Sequence, residues 1–217
     1  IILVVIGILI ALQINNWNNE NIQREKEVVY LTEIKSNLSF DLNNEIIPAI
    51  NLLEENISRN SILLSGFSKK DLTLSPDTIK HYFNEIYFKD WKIQLNSSGY
   101  ENLNSVGIDL IFSDSIRSNI SMLYNYHHPI INKFQNKTDT FWMQEMQTIL
   151  MDEVLFKLYS TKNITENLKE IKANEKLKIR MSRSRDYTYN RLIWLRIIRL
   201  ESEKLIKAID TYIISTS

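Results

Sequence analysis

No cysteine occurs among the 217 residues of this chain. That absence removes disulfides, thiolate metal sites and cysteine nucleophiles, and it fits any cellular compartment. Glycine and proline are nearly as scarce: four glycines (Gly7, Gly66, Gly99, Gly107) and three prolines (Pro48, Pro76, Pro129). A many-stranded sheet needs turn signals about every 8–12 residues, so this economy favours long helices. An excess of charge of one sign is also lacking. The 26 basic and 26 acidic residues cancel, and nothing in the whole-chain balance asks for nucleic acid or an acidic substrate.

Markers of familiar chemistry are missing too. There is no Gly-x-Ser-x-Gly, Walker-type loop, Rossmann fingerprint or His-Glu-x-x-His. The histidines are His81 and the adjacent pair His127 and His128. Neighbours on a helix point about 100° apart, so that pair cannot chelate one ion as an i, i+4 pair does. Glu20, Glu25, Glu27 and Glu33 lack histidines at the spacing a carboxylate metal site uses, and read as a solvated helix face. Neither metal nor cofactor is expected. Six Asn-x-Ser/Thr sequons, at Asn37, Asn56, Asn96, Asn119, Asn136 and Asn163, are what chance supplies in so Asn-rich a chain.

What is present is a folded composition, 44% hydrophobic and 24% charged, sufficient for one domain or for an anchor plus a domain. The chain opens on IILVVIGILIALQINNWNNE, whose first twelve residues are apolar. As a helix they cover roughly 18 Å against a hydrocarbon core of about 30 Å. The sequence begins at Ile1, inside the apolar run, which is expected of a piece of a longer span. A core helix would carry a polar face, and a signal peptide would end in a small-x-small site; neither is seen. A span would end in an interfacial belt, which Gln13, Asn15, Asn16 and Trp17 supply. Ile1, Gly7 and Leu12 are therefore assigned to a truncated membrane span, with Gly7 an ordinary glycine of such a helix, and Trp17 to its interfacial anchor. The flank that follows holds Arg24, Lys26 and Lys35 amid more acids, which leans to the non-cytoplasmic side.

IILVVIGILIALQINNWNN and the following LTEIKSNLSFDL, together with SSGYENLNSVGIDLIFSDSIRSNISMLYNY further on, resemble two recurrent patterns of an uncharacterised Bacteroidota family of single-pass membrane proteins, a domain of unknown function. Members typically carry a short basic segment ahead of the span. The resemblance thus implies a cytoplasmic N-terminus and a periplasmic helical domain attached to the inner membrane. It implies no activity and no catalytic residues.

Beyond Ile22, Leu31, Ile34, Leu38, Leu42, Ile46, Ile50, Leu53, Ile57 and Leu64 form the stripe of a long amphipathic helix. Pro48 predicts a kink by crowding the carbonyl of Asn44, and Gly66 a C-cap. Residues 67–76 read as a loop, with Ser75 as N-cap and Pro76 at the first helical position of the next helix. Ser98 is placed to cap a short helix, Gly107 to end it in the left-handed region, and Asp114 to begin another bearing Ile116, Ile120 and Leu123. Pro129 permits a further start, with loosening expected near QNKTDT at 135–140. One or two helices follow Ser160. Their seam is Leu192, Leu195, Ile198, Ser202, Leu205, Ile209 and Tyr212. The expected fold is all-α: a truncated N-terminal transmembrane helix (1–16), a long juxtamembrane amphipathic helix (17–66) and the remainder (67–217) of an elongated antiparallel helical bundle packed on it.

Charge is unevenly placed. Eight acids face four bases between Asn19 and Gly66, and ten bases face three acids between Lys169 and Arg199. The sharpest patch is KIRMSRSRDYTYNRLIWLRIIRL, where Arg180, Arg183, Arg185, Arg191, Arg196 and Arg199 interleave with Tyr187, Tyr189 and Trp194. Such a pattern could grip a nucleic-acid backbone, another acidic partner or anionic lipid. The plainer reading pairs the arginines with the acidic first helix and puts the aromatics in the bundle, and zero net charge with a membrane anchor favours it. The expected function is a membrane-anchored binding, sensing or scaffolding module of the cell envelope. Its partners are the lipid bilayer and another envelope protein or a second copy; nucleic acid is disfavoured. The alternative is a membrane-bound enzyme with a motif-free site, or a nucleic-acid binder using the basic segment.

Overall fold

The computed structural model describes residues 2–68, 74–88, 92–160 and 163–216, with Ile2 as backbone alone. Among them there is no strand, and the chain is all-α. Its helices are α1 (Ile2–Asp41), α2 (Ile47–Ser68), α3 (Pro76–Tyr87), α4 (Ser98–Val106), α5 (Asp114–Met122), α6 (His128–Phe141), α7 (Phe156–Tyr159), α8 (Ile164–Ala173) and α9 (Glu175–Thr216). Wider π turns occupy Leu42–Ile46, Leu123–His127, Trp142–Met146 and Ile149–Leu155, and a 3-10 turn occupies Ile108–Leu110.

Two of the π turns share a cause. Pro48 and Pro129 each lack an N–H and crowd the carbonyl four residues back, that of Asn44 and of Asn125. Both carbonyls lie inside a π turn, where longer-range bonding widens the backbone. The helix therefore runs on through each proline, and Pro129 stands in the first turn of α6, which follows directly on a π turn. Residues 135–140 stay α-helical; the loosening expected there comes later, from Trp142.

The caps divide similarly. Ser75 Oγ accepts the N–H of Thr78 at 3.1 Å with Pro76 in the first turn, as predicted. Ser98 is the first residue of α4 instead of its cap, and Ser97 holds the N-cap position. Asp114 does start α5, capped by Ser113. Gly107 ends α4, but its φ of 105° and ψ of 123° lie outside the left-handed helical well. Gly66 is buried inside α2, which continues to Ser68. Of the loop expected at 67–76, residues 69–73 lie outside the described residues.

The chain forms two compact units. The first comprises residues 1–42, 95–126 and 200–217, and the second residues 43–94 and 127–199. In the first unit the stripe of α1 buries Leu31, Ile34 and Leu38 fully. Leu103, Ile111, Ile116 and Ile120 from the middle of the chain, and Leu205 and Ile209 from α9, are buried in the same unit. α4 lies close against α1: a Cβ on Gly99 would sit 3.0 Å from Asn37 Nδ2 and 3.2 Å from the backbone N of Ile34. Lys35 pairs with Asp210 at 2.7 Å, tying α1 to the end of α9.

The core of the second unit gathers Leu63 and Phe67 of α2, Ile79 and Phe83 of α3, Leu150 and Val154 of the last π turn, and Leu177 and Met181 of α9. Rings run through it in sequence: Phe67 stacks on Phe83 and Tyr87 on Trp142. On α2 the buried face passes from Leu53 to Asn56, Asn60 and Leu63, while the predicted Ile57 and Leu64 are only partly buried. Asn60 Nδ2 donates to the Tyr87 hydroxyl at 3.2 Å and to the carbonyl of Met181 at 3.1 Å. In α9 the predicted seam residues from Leu192 to Ile209 are buried, and Tyr212 partly so.

Because the new methyl would meet the Ile34 backbone N at 3.2 Å as well as the Asn37 and Glu33 side chains, Gly99→Ala should destabilise the protein by about 1–3 kcal/mol, the range for overpacking. A lowered midpoint in thermal or urea unfolding checks this.

Candidate functional site

In α1 every described side chain from Leu3 to Lys26 is exposed. Leu3 is 84% accessible and Trp17 64%, and Val4, Val5, Ile6, Ile8, Leu9, Ile10, Leu12 and Ile14 are exposed between them. Gly7 faces open space, and Ile1 lies outside the described residues. The apolar run Leu3 to Leu12 rises only roughly 15 Å before Gln13. Among the described residues no helix is long and apolar enough to cross a membrane. Of the truncated span expected over 1–16, residues 2–16 are helical.

The six arginines of the basic segment do not share one face. Arg183 donates to Glu145 at 2.8 Å and lies over the Phe141 ring, and Arg180 approaches the same carboxylate at 3.9 Å. Arg196 meets Glu54 at 2.8 Å, a pair between exposed groups worth about 0–1 kcal/mol. Arg185 lies 4.0 Å from Asp186, and Arg199 is exposed. Arg191 is buried at 6% accessibility and donates through Nη2 to Gln135 Oε1 at 3.0 Å. Of the interleaved aromatics, Tyr187 packs against the core, Trp194 stacks on Phe134, and Tyr189 is exposed. Arg196 therefore pairs with an acid of the early helix, and Arg180 and Arg183 use Glu145 instead.

Glu27 departs most from its expected place on a solvated face. It is 1% accessible and accepts from the Phe112 N–H at 2.7 Å and from the Tyr212 hydroxyl at 3.0 Å, with Arg24 Nη1 at 3.3 Å. Arg24 in turn donates to the Tyr212 oxygen at 2.6 Å and lies 4.2 Å over the Phe112 ring. Glu33 accepts from Asn102 at 3.0 Å, and Asp41 from the N–H of Asn96 at 2.8 Å. Glu27 precedes Leu31 by four residues, so its position on the buried stripe could have been read from the spacing. These contacts hold a structure together and bring no reactive group to an open surface. Among the described residues no three His, Cys, Asp or Glu side chains converge to hold a metal.

The second unit contains a cavity of about 450 Å³. One wall is aromatic, made by Tyr87, Phe88, Phe141 and Trp142, with Met143 and Met146 beside it. Polar side chains line it too, Asn56, Thr138, Ser184, Thr188 and Arg191, with the ion pair Lys92 to Asp139 at 3.6 Å. The π turn Trp142–Met146 brings three of its five side chains to this space. Sequence reading missed the cavity because its lining comes from four separated stretches with no local pattern. Burial pushes the Tyr87 phenol well above its ordinary value, against hydrogen bonds from Asn60 and Ser184 that pull it down. Tyr124, in the first unit, is raised by burial and by the nearby Asp41. Burial, helped by the neighbouring His127, pushes the His128 imidazole from 6.5 down to about 4.

Residues 1–134 match the model of a family of unknown function, DUF6090, and both stretches that carry the sequence resemblance lie within the match. No curated protein and no solved structure matches the chain.

Removing the Glu27 carboxylate orphans a backbone N–H and a hydroxyl at a buried site. Glu27→Ala should cost about 3 kcal/mol and Tyr212→Phe about 1 kcal/mol in urea unfolding. For His128 the folded state resists protonation that the unfolded chain accepts below pH 6.5. Stability should therefore fall as pH drops from 6.5 towards 4, by on the order of 3 kcal/mol from this group, and level off below. His128→Gln should flatten that limb of the stability-versus-pH curve.

Proposed function

The chain belongs to a family of unknown function, DUF6090, and from that premise we propose that it is a single-pass, membrane-anchored helical module of the bacterial inner membrane. In this reading the apolar end of α1 is seated in the bilayer, Trp17 lies at the interface, and both compact units stand on the periplasmic side, where they bind, sense or scaffold. One observation carries the reading: the N-terminal part of α1 exposes large apolar side chains around its whole circumference, from Leu3 to Ile14. Water disfavours such a surface by about 25 cal/mol per Å², and a helix without a polar face cannot cover it by packing one side on a core. Lipid covers every side at once. The polar belt of Gln13, Asn15 and Asn16 beside an exposed Trp17 suits the headgroup region.

Expression in a Gram-negative host with fractionation tests the anchor. The chain should stay in the membrane pellet after alkaline carbonate washing, and Ile6→Asp with Ile10→Asp should release it as a folded protein. A C-terminal alkaline phosphatase fusion should be active and a C-terminal green fluorescent fusion dark. Recovery of the unaltered chain in the soluble fraction would sink the anchor, and the reverse reporter pattern would sink the periplasmic placement.

A further inference from the structure

We infer that the cavity of the second unit is a binding site for a small aromatic carboxylate, independently of where the chain resides. Its volume, about 450 Å³, falls in the range of roughly 300–1,000 Å³ that small-molecule sites occupy. The aromatic wall sets the body of the ligand. Tyr87 and Trp142 lie parallel with centroids 6.1 Å apart, and Phe88 meets Trp142 edge-on at 5.6 Å. Together they offer faces and edges to a further ring. Met143 and Met146, unbranched and polarisable, adapt the fit.

The charges set the ligand's head group. The lining holds two cationic side chains, Arg191 and Lys92, and one carboxylate, Asp139. Arg191 is buried, and its planar fork is fixed by the amide oxygen of Gln135, which also accepts the N–H of Ile93 at 3.2 Å. A pre-positioned guanidinium suits a carboxylate, which accepts two parallel N–H bonds. Lys92, with 58% of its side chain accessible, contributes a second positive charge at the mouth.

The test uses the full chain, purified from whichever fraction holds it, titrated calorimetrically with 2-naphthoate and with its neutral isostere 2-naphthamide, the same medium without protein serving as the blank. 2-Naphthoate should bind with Kd below about 1 mM and at least about tenfold more tightly than the amide. Arg191→Gln should abolish that preference. Because Arg191 is buried and its replacement could unfold the unit, two exposed positions decide the matter independently. Lys92→Gln should weaken the acid about threefold and leave the amide unchanged, and Met143→Trp should exclude both. No binding of either compound to folded protein, equal affinity for acid and amide, or affinities indifferent to Lys92→Gln and Met143→Trp would each overturn the proposal. None of these outcomes bears on membrane anchoring, which the fractionation and fusions test separately.

Discussion

The first unit rests on inward-facing carboxylates of one helix. α1 presents Glu27, Glu33 and Asp41 to the segment that carries α4, the 3-10 turn and α5, and two of the three take a backbone N–H, of Phe112 and of Asn96. Hydrogen bonds with an ionised acceptor contribute about 1.5–3 kcal/mol each, and they occupy donors that a short helix and a 3-10 turn leave unmatched. Gly99 lets α4 approach close enough for this, and Tyr212 brings the end of α9 to the same carboxylate. Glu33 and Asn102 join the two stretches that carry the family resemblance, and Glu27 and Asn96 stand just outside them.

Much of the fold was legible because burial follows periodicity. Leu31, Ile34 and Leu38, and Leu192 through Ile209, are buried where the spacing puts them. Ser75 with Pro76 starts α3 because a cap and a fixed φ act locally. What was misread depends on contacts from elsewhere in the chain. Pro48 and Pro129 look like interruptions, but a π turn absorbs the missing donor, and nothing in the neighbouring residues announces that. Gly66 looks like a stop, yet it is a small residue on a buried face. Glu27 was judged by its charge rather than by its place four residues ahead of Leu31.

The basic segment shows the same division. Read along the chain, six arginines look like one patch. A helix turns about 100° per residue, so steps of three, two, six, five and three scatter them around α9. Arg180 and Arg183 find Glu145, Arg196 finds Glu54, and Arg191 enters the second unit. The cavity that Arg191 lines was beyond sequence reading, since its walls draw on residues 52–56, 86–92, 138–146 and 184–191. Chemistry assembled over such separations leaves no spacing to recognise.

Asn60 gives the second unit something that greasy contacts cannot. Leucine and methionine pack almost as well after a slide of one helical turn, so an apolar interface between α2 and α9 would have several near-equal alignments. One amide reaching both the hydroxyl of Tyr87 and the carbonyl of Met181 removes that freedom, because any slide separates it from its acceptors at a buried position. It acts as a locating pin, selecting the single register in which α2, α3 and α9 can be assembled.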